Sequence, residues 1–169
     1  MKYLIVSDIH GSLAGCERLK NALFRENPDC LLLLGDLLHG GYDGDENAVI
    51  RVISSFKKGV LAVAGNCDDS YSDGLALGVE LPGERSFSFR GFEVRMQHRP
   101  YCLRYPAKTI LLNGHTHRKI LYGDSGAIYC NPGSISLPRD DCASYAVMDE
   151  EGMALLNADN GLILERLLF

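Results

Sequence analysis

The spacing of apolar residues changes rhythm partway along the chain. In the first third, short unbroken apolar runs alternate with stretches whose apolar residues recur every three or four positions. The runs are Lys2 to Ser7, Cys30 to Leu34 and Val60 to Ala64. Runs this short, apolar on both alternating faces, predict buried strands. Between the first two, Cys16, Leu19 and Leu23 share one face of a helix predicted from about Leu13 to Glu26, with Ser12 as its cap and Pro28 as its stop. Val49, Val52, Ile53 and Phe56 form a second helical stripe before Gly59. The resulting β-α-β-α-β order predicts parallel strands joined by right-handed crossovers.

From Arg85 onward the period becomes that of strands. Arg85 to Phe89 and Phe92 to His98 flank Arg90-Gly91, and Ile120 to Gly123 and Ala127 to Cys130 flank Asp124-Ser125-Gly126. Both patterns predict hairpins. Thr109 to Leu112, Tyr145 to Asp149, Met153 to Asn157 and Leu162 to Leu167 complete the strands, and one helix is expected around Tyr101 to Ala107. No repeat, low-complexity tract or linker divides residues 1–169, so one domain is expected. The predicted architecture is α/β, with two half-sheets packed together and helices outside.

Composition narrows the function classes. The chain is 46% hydrophobic and 23% charged, with a net charge of -5. It therefore lacks the basic footprint of a protein that holds a nucleic-acid duplex stably. No apolar run approaches the roughly 20 residues of a membrane span, and the run after Met1 is too short for a secretory leader. A cytoplasmic protein is expected. Six cysteines are scattered without a C-x-x-C pair, which predicts reduced thiols rather than a disulfide framework.

The candidate chemistry lies where strands end. In open α/β sheets, ligands gather at the carboxyl ends of strands. Asp8 and His10 follow the first apolar run, Asp36 the second and Asn66 the third; His98 closes a later strand, and His115 and His117 follow Thr109 to Leu112. Singly these residues have ordinary readings. A strand-end aspartate caps turns, and a lone histidine is usually just hydrogen-bonded. Gly114-His115-Thr116-His117 is stronger, because imidazoles at i and i+2 can face one cation. Asn66 is a weak ligand alone but suits a site where a shared carboxylate already supplies charge.

Taken in order, Asp8-Ile9-His10-Gly11, Gly35-Asp36, Gly65-Asn66-Cys67-Asp68, His98 and Gly114-His115-Thr116-His117 resemble the motifs of the calcineurin-like metallophosphoesterases. The likeness is to their small single-domain phosphodiesterase branch, and Asn131-Pro132-Gly133-Ser134 and Ala143-Ser144-Tyr145 extend it. The resemblance implies a four-layer α/β/β/α sandwich, with two central sheets flanked by helices, over residues 1–169. It also implies a dinuclear centre. Asp8, His10 and His117 hold one divalent cation, Asn66, His98 and His115 the other, and Asp36 bridges them. Manganese is the first expectation, with zinc, iron and nickel suiting similar donors. Two such cations offset the charge of a phosphodiester and activate a hydroxide for in-line attack, with no protein nucleophile. A small phosphodiester is the implied substrate, and a homodimer or homotetramer the implied assembly.

Three positions depart from the branch or add to it. Cys67 stands where many relatives carry a histidine that protonates the leaving group, and a thiol is a poor substitute. His39, three residues after Asp36, is the candidate replacement acid beside its plain reading as a loop histidine. His98-Arg99-Pro100 replaces a common His-Gly-His, and Arg99 is a candidate phosphate contact. Asn131 and Ser134 are read as buttresses, and Asp68 as orienting or capping a ligand loop. Two alternatives remain open: phosphomonoesterase or nucleotide pyrophosphatase activity at the same site, and a non-catalytic scaffold like the retromer subunit that shares this fold.

Overall fold

The computed structural model describes residues 1–41, 44–100 and 104–169. Its first elements follow the predicted alternation: β1 (Tyr3–Val6), α1 (Leu13–Glu26), β2 (Cys30–Leu33), α2 (Glu46–Ser55) and β3 (Gly59–Ala62). The Ser12 side chain accepts the Gly15 N–H, and Asp45 does the same for Ala48, so both longer helices begin on capped turns. A third helix, α3 (Ser72–Leu77), was not predicted. It is short, contains Gly74, and starts where Asp69 collects the N–H groups of Tyr71 and Ser72.

The later chain supplies β4 (Glu84–Phe89), β5 (Phe92–Gln97), β6 (Thr109–Leu112), β7 (Lys119–Asp124), β8 (Ala127–Pro132), β9 (Ser144–Met148), β10 (Gly152–Asn157) and β11 (Ile163–Leu168). Both predicted hairpins form. Their turns place Arg90-Gly91 and Ser125-Gly126 at positive φ, the backbone that matches strand twist.

Two mixed sheets result, ordered β11-β10-β9-β1-β2-β3 and β4-β5-β6-β8-β7. Strands β1, β2 and β3 run parallel, with Tyr3 opposite Cys30 and Cys30 opposite Gly59. Side-chain alternation then divides the core. Leu4, Val6, Leu31 and Leu33 pack with Leu19, Val49 and Ile53 beneath the helices. Tyr3, Ile5 and Leu32 pack against Val94, Met96, Ile110 and Leu112, which holds the sheets face to face. This is the expected α/β architecture. The outer face of the second sheet carries Tyr105, Leu111, Ala127 and Tyr129. Of the helix expected at Tyr101 to Ala107, residues 101–103 lie outside the described residues and 104–107 are not helical. Among the described residues, Cys30, Cys67, Cys130 and Cys142 are free thiols.

Candidate metal centre

Asp8, His10, Asp36, His115 and His117 all have φ between 52° and 68°. Nine non-glycine residues among those described adopt positive φ, and these five lie together at the carboxyl end of the sheets. Aspartate and histidine tolerate left-handed backbone better than most residues, at a cost of about 1–3 kcal/mol each. The loops also interlock: the Asp8 N–H donates to the Gly35 carbonyl and the His10 N–H to that of Asp36. Two glycines permit the approach, since a Cβ on Gly65 would collide with the Asp36 carboxylate and one on Gly114 with the Ser7 hydroxyl.

The side chains form two adjoining clusters. In one, the His117 Nε2 lies 3.3 Å from Asp8 Oδ1 and 3.2 Å from His10 Nε2. In the other, His98 Nε2 lies 3.4 Å from Asp36 Oδ2 and 3.2 Å from Asn66 Oδ1, with His115 close to both His98 and Asp36. Asp36 belongs to both neighbourhoods, its Oδ2 being 3.8 Å from His10 Nε2. All seven positions singled out from the sequence are thus brought together, with Asp8, His10, Asp36, His98 and His117 buried.

Hydrogen-bond chemistry shows what this arrangement lacks. The Nδ1 atoms of His10, His98 and His117 lie 2.7, 2.7 and 2.6 Å from the carbonyl oxygens of His39, Leu34 and Leu137. A carbonyl only accepts, so each Nδ1 carries the proton. A ring in its neutral form then presents its Nε2 lone pair to the carboxylates and to the other rings. This is the tautomer of a metal-ligating histidine with an outer partner fixing its orientation. Asp8 Oδ1, fully buried, has no hydrogen-bond partner among the described residues. Lone pairs converging on an orphaned carboxylate oxygen fit a cation.

Protonation equilibria point the same way. Burial pushes the Asp8 carboxyl above the ordinary range, despite the opposing pull of Ser7 and His117. Burial also opposes charge on Asp36, but hydrogen bonds from His98 and the Cys67 N–H outweigh it and hold that carboxyl below the usual range. On His98, burial is overcome by Asp36 and the Leu34 carbonyl, which raise its pKa. A proton on His98 and a divalent cation therefore compete for the same carboxylate.

A second layer holds the loops. Asp68 accepts the N–H groups of Asp36, Leu37 and Gly65 at 2.7, 2.8 and 2.8 Å, joining the loops after β2 and β3. Ser134 and Ser136 both donate to the Asp8 carbonyl, at 2.8 and 2.7 Å. Asn131 donates to the Gly114 carbonyl and to Thr116 Oγ1. Ser136 and the three carbonyls behind the histidines escaped sequence reasoning. The carbonyls have no side-chain signature, and Ser136 sits in a serine-containing loop with no distinguishing pattern.

A family model described as "Calcineurin-like phosphoesterase superfamily domain" matches residues 1–153. The chain belongs to that superfamily. Among calcineurin-like phosphoesterases, Phosphodiesterase YfcE of Escherichia coli (strain K12) is 28% identical over 182 residues, covering 97% of this chain and 96% of the relative. The solved structure of YfcE, a phosphoesterase from E. coli, superposes with a TM-score of 0.90 at 25% identity, covering 99% of each chain. Vps29 from Entamoeba histolytica, solved in complex with zinc, has the same fold at a TM-score of 0.66 and 16% identity, covering 99% of each chain.

Around this candidate site, Cys67, Arg99 and His39 occupy distinct places. Cys67 lies beside Asp36 and His10, and its N–H donates to Asp36 Oδ1 at 2.8 Å. Burial and the Asp36 charge push its thiol up, so it stays protonated at neutral pH. Arg99 is exposed at the mouth and donates to Asn66 Oδ1 at 3.1 Å. Burial, followed by the Arg99 charge, depresses the pKa of His115. His39 sits one step back. Its Nδ1 meets Glu46 at 2.7 Å and its Nε2 meets Asp73 at 3.1 Å, while its carbonyl supports His10. Burial opposes its charge, but the hydrogen bonds and charges of Asp73 and Glu46 together prevail and raise its pKa.

Proposed function

We propose that this chain is a metal-dependent phosphodiesterase acting on small phosphodiesters at a dinuclear centre. The observation that carries the reading is the convergence of Nε2 lone pairs on Asp8 and Asp36, with Asp8 Oδ1 unpartnered. Asp8, His10 and His117 would hold one divalent cation, and Asn66, His98 and His115 the other, with Asp36 shared. Manganese suits this mixture of carboxylate, amide and imidazole first; zinc, iron and nickel are the alternatives. Such cations supply charge to offset the phosphate oxygens and acidify a water to serve as nucleophile.

The chain's own groups then set the substrate range. Arg99 is placed to attract an anionic phosphate toward Asn66. The protonated Cys67 thiol is a weak proton donor where a histidine would be a strong one, which favours esters with good leaving groups. The His39 ring, held by Glu46 and Asp73, can deliver a proton only by releasing one of them. We therefore read His39 chiefly as the support of His10. The expected setting is cytoplasmic, as a homodimer or homotetramer without stable nucleic-acid or membrane partners; among the described residues no helix is long and apolar enough to cross a membrane.

The shared fold of Vps29 supports one other reading, a non-catalytic scaffold. One assay separates them. Metal-stripped protein should gain bis(p-nitrophenyl) phosphate hydrolysis on addition of manganese, and Asp36→Ala should abolish it. Silence with every divalent metal would favour the scaffold; p-nitrophenyl phosphate turned over faster than the diester would favour a monoesterase.

A further inference from the structure

A groove of about 270 Å³ begins at Asn66 and His98 and continues along Ala64, Gly65, Gly83 and Arg99. Its far wall is mostly backbone. The Ala64 N–H donates to the Pro82 carbonyl at 2.9 Å, which fixes the segment before Asn66 against the segment leading to Gly83. Two glycines and an alanine line this stretch, so beyond Asn66 and His98 it carries only small, uncharged residues until Arg99. Guanidinium groups are planar and stack on aromatic faces.

The two glycines differ in a telling way. A Cβ on Gly65 would strike Asp36, so the backbone itself requires glycine there. A Cβ on Gly83 meets nothing within 4 Å, and its φ lies outside the left-handed region. Nothing in the fold demands a missing side chain at position 83. Its consequence is an open groove.

We propose that this groove is a subsite for one planar, uncharged ester substituent, an aryl ring or a nucleobase, of a diester whose phosphate lies at the metal centre. The inference rests on the phosphodiesterase reading. The groove is smaller than the roughly 300–1,000 Å³ of pockets that enclose drug-sized ligands, so it takes one ring and leaves the other ester group outside. An open cleft of this kind selects by ring and not by the identity of the whole substrate.

The test uses three p-nitrophenyl phosphodiesters that share their leaving group and differ in the second ester group: methyl, phenyl and thymidine. With manganese-loaded protein, KM for at least one ring-bearing diester should fall about 10-fold below that for the methyl diester. A preference for phenyl, thymidine or both upholds the subsite and states which ring it takes. Gly83→Leu should shrink the preference to less than about 2-fold, as expected when a side chain fills an apolar pocket. Equal KM values for all three diesters, or an undiminished preference in folded Gly83→Leu, would overturn the proposal. A second measurement needs neither turnover nor the variant. In magnesium-loaded wild-type protein, phenylphosphonate should shift the amide resonances of Gly65 and Gly83 and methylphosphonate should leave Gly83 unmoved; identical responses would also overturn it. Absence of all diester hydrolysis would instead sink the phosphodiesterase reading, while the amide shifts still decide the groove.

Discussion

Two polar clusters among the described residues obey opposite rules. Beneath the end of α1, Lys2 Nζ reaches Glu26 Oε2 at 2.6 Å, and the Tyr145 hydroxyl donates to Glu26 Oε1 at 2.7 Å while accepting from Arg25 at 3.1 Å. There each carboxylate oxygen of Glu26 meets a donor, so the cluster is finished as it stands. At the candidate metal centre, rings in their neutral form set acceptors against acceptors: Nε2 of His117 faces Asp8 Oδ1, Nε2 of His98 faces Asp36 Oδ2, and Asp8 Oδ1 has no hydrogen-bond partner among the described residues. Both clusters are built from carboxylates and nitrogen-bearing side chains. The difference lies in protons, and it separates a structural network from a group of side chains that could hold a cation.

Substitutions can break this contrast. The largest effect is expected from Asp36→Asn, which should lower manganese-dependent diester turnover by about 10³-fold or more. Glu26→Gln, its counterpart in the finished cluster, should leave turnover within about 2-fold and cost about 1–2 kcal/mol of stability. Steady-state kinetics and denaturant titration of both variants would measure the pair, and a turnover loss in Glu26→Gln comparable to that of Asp36→Asn would erase the distinction.

Asp68→Ala removes the acceptor of three backbone N–H groups and should cost about 3 kcal/mol. Manganese affinity should drop about 10–100-fold with it, as for other groups that hold ligands in place. Calorimetric titration checks the affinity, and Asp68→Asn should recover part of both losses. Manganese itself comes next. At about 100 times its dissociation constant it should stabilise the wild type by about 2.7 kcal/mol. Glu26→Gln should keep that increment and Asp36→Asn should lose most of it, as read from thermal melts with and without chelator.

The smallest of these effects concerns pH. Burial, reinforced by Glu26, pushes the Tyr145 hydroxyl up to about 12, above its ordinary value near 10. A folded pKa raised above the unfolded one means that the stabilisation is complete below pH about 10 and drains away as pH rises toward 12. Tyr145→Phe should therefore flatten the loss of stability between pH 10 and 12 by at most about 2 kcal/mol. Cys130, which burial also raises to about 12, titrates in both proteins and cancels. Guanidinium unfolding across that window gives the difference.

Much of this was legible in the chain because its strands end where its chemistry begins. The run closing at Ser7 hands directly to Asp8, the one closing at Leu34 to Asp36, and the one closing at Ala64 to Asn66. Helix α3 was not legible, since six residues containing a glycine show no period. The carbonyls of Leu34, His39 and Leu137 were invisible for a different reason: every residue has one, and only folding aims it at an imidazole. Glycines posed the same problem, because Gly65 and Gly83 look alike in sequence and differ only in what surrounds them.

The left-handed backbone at the metal ligands has a consequence for how this protein can change. Conformational strain at five positions in three loops accompanies the site, so fold and site chemistry pull on these positions in opposite directions. His115 is the half-buried member of the set, and glycine accepts its φ of 68° freely. His115→Gly should make the metal-free protein more stable, by roughly 1 kcal/mol, while removing a ligand. A lineage released from catalysis would be rewarded for discarding these residues first.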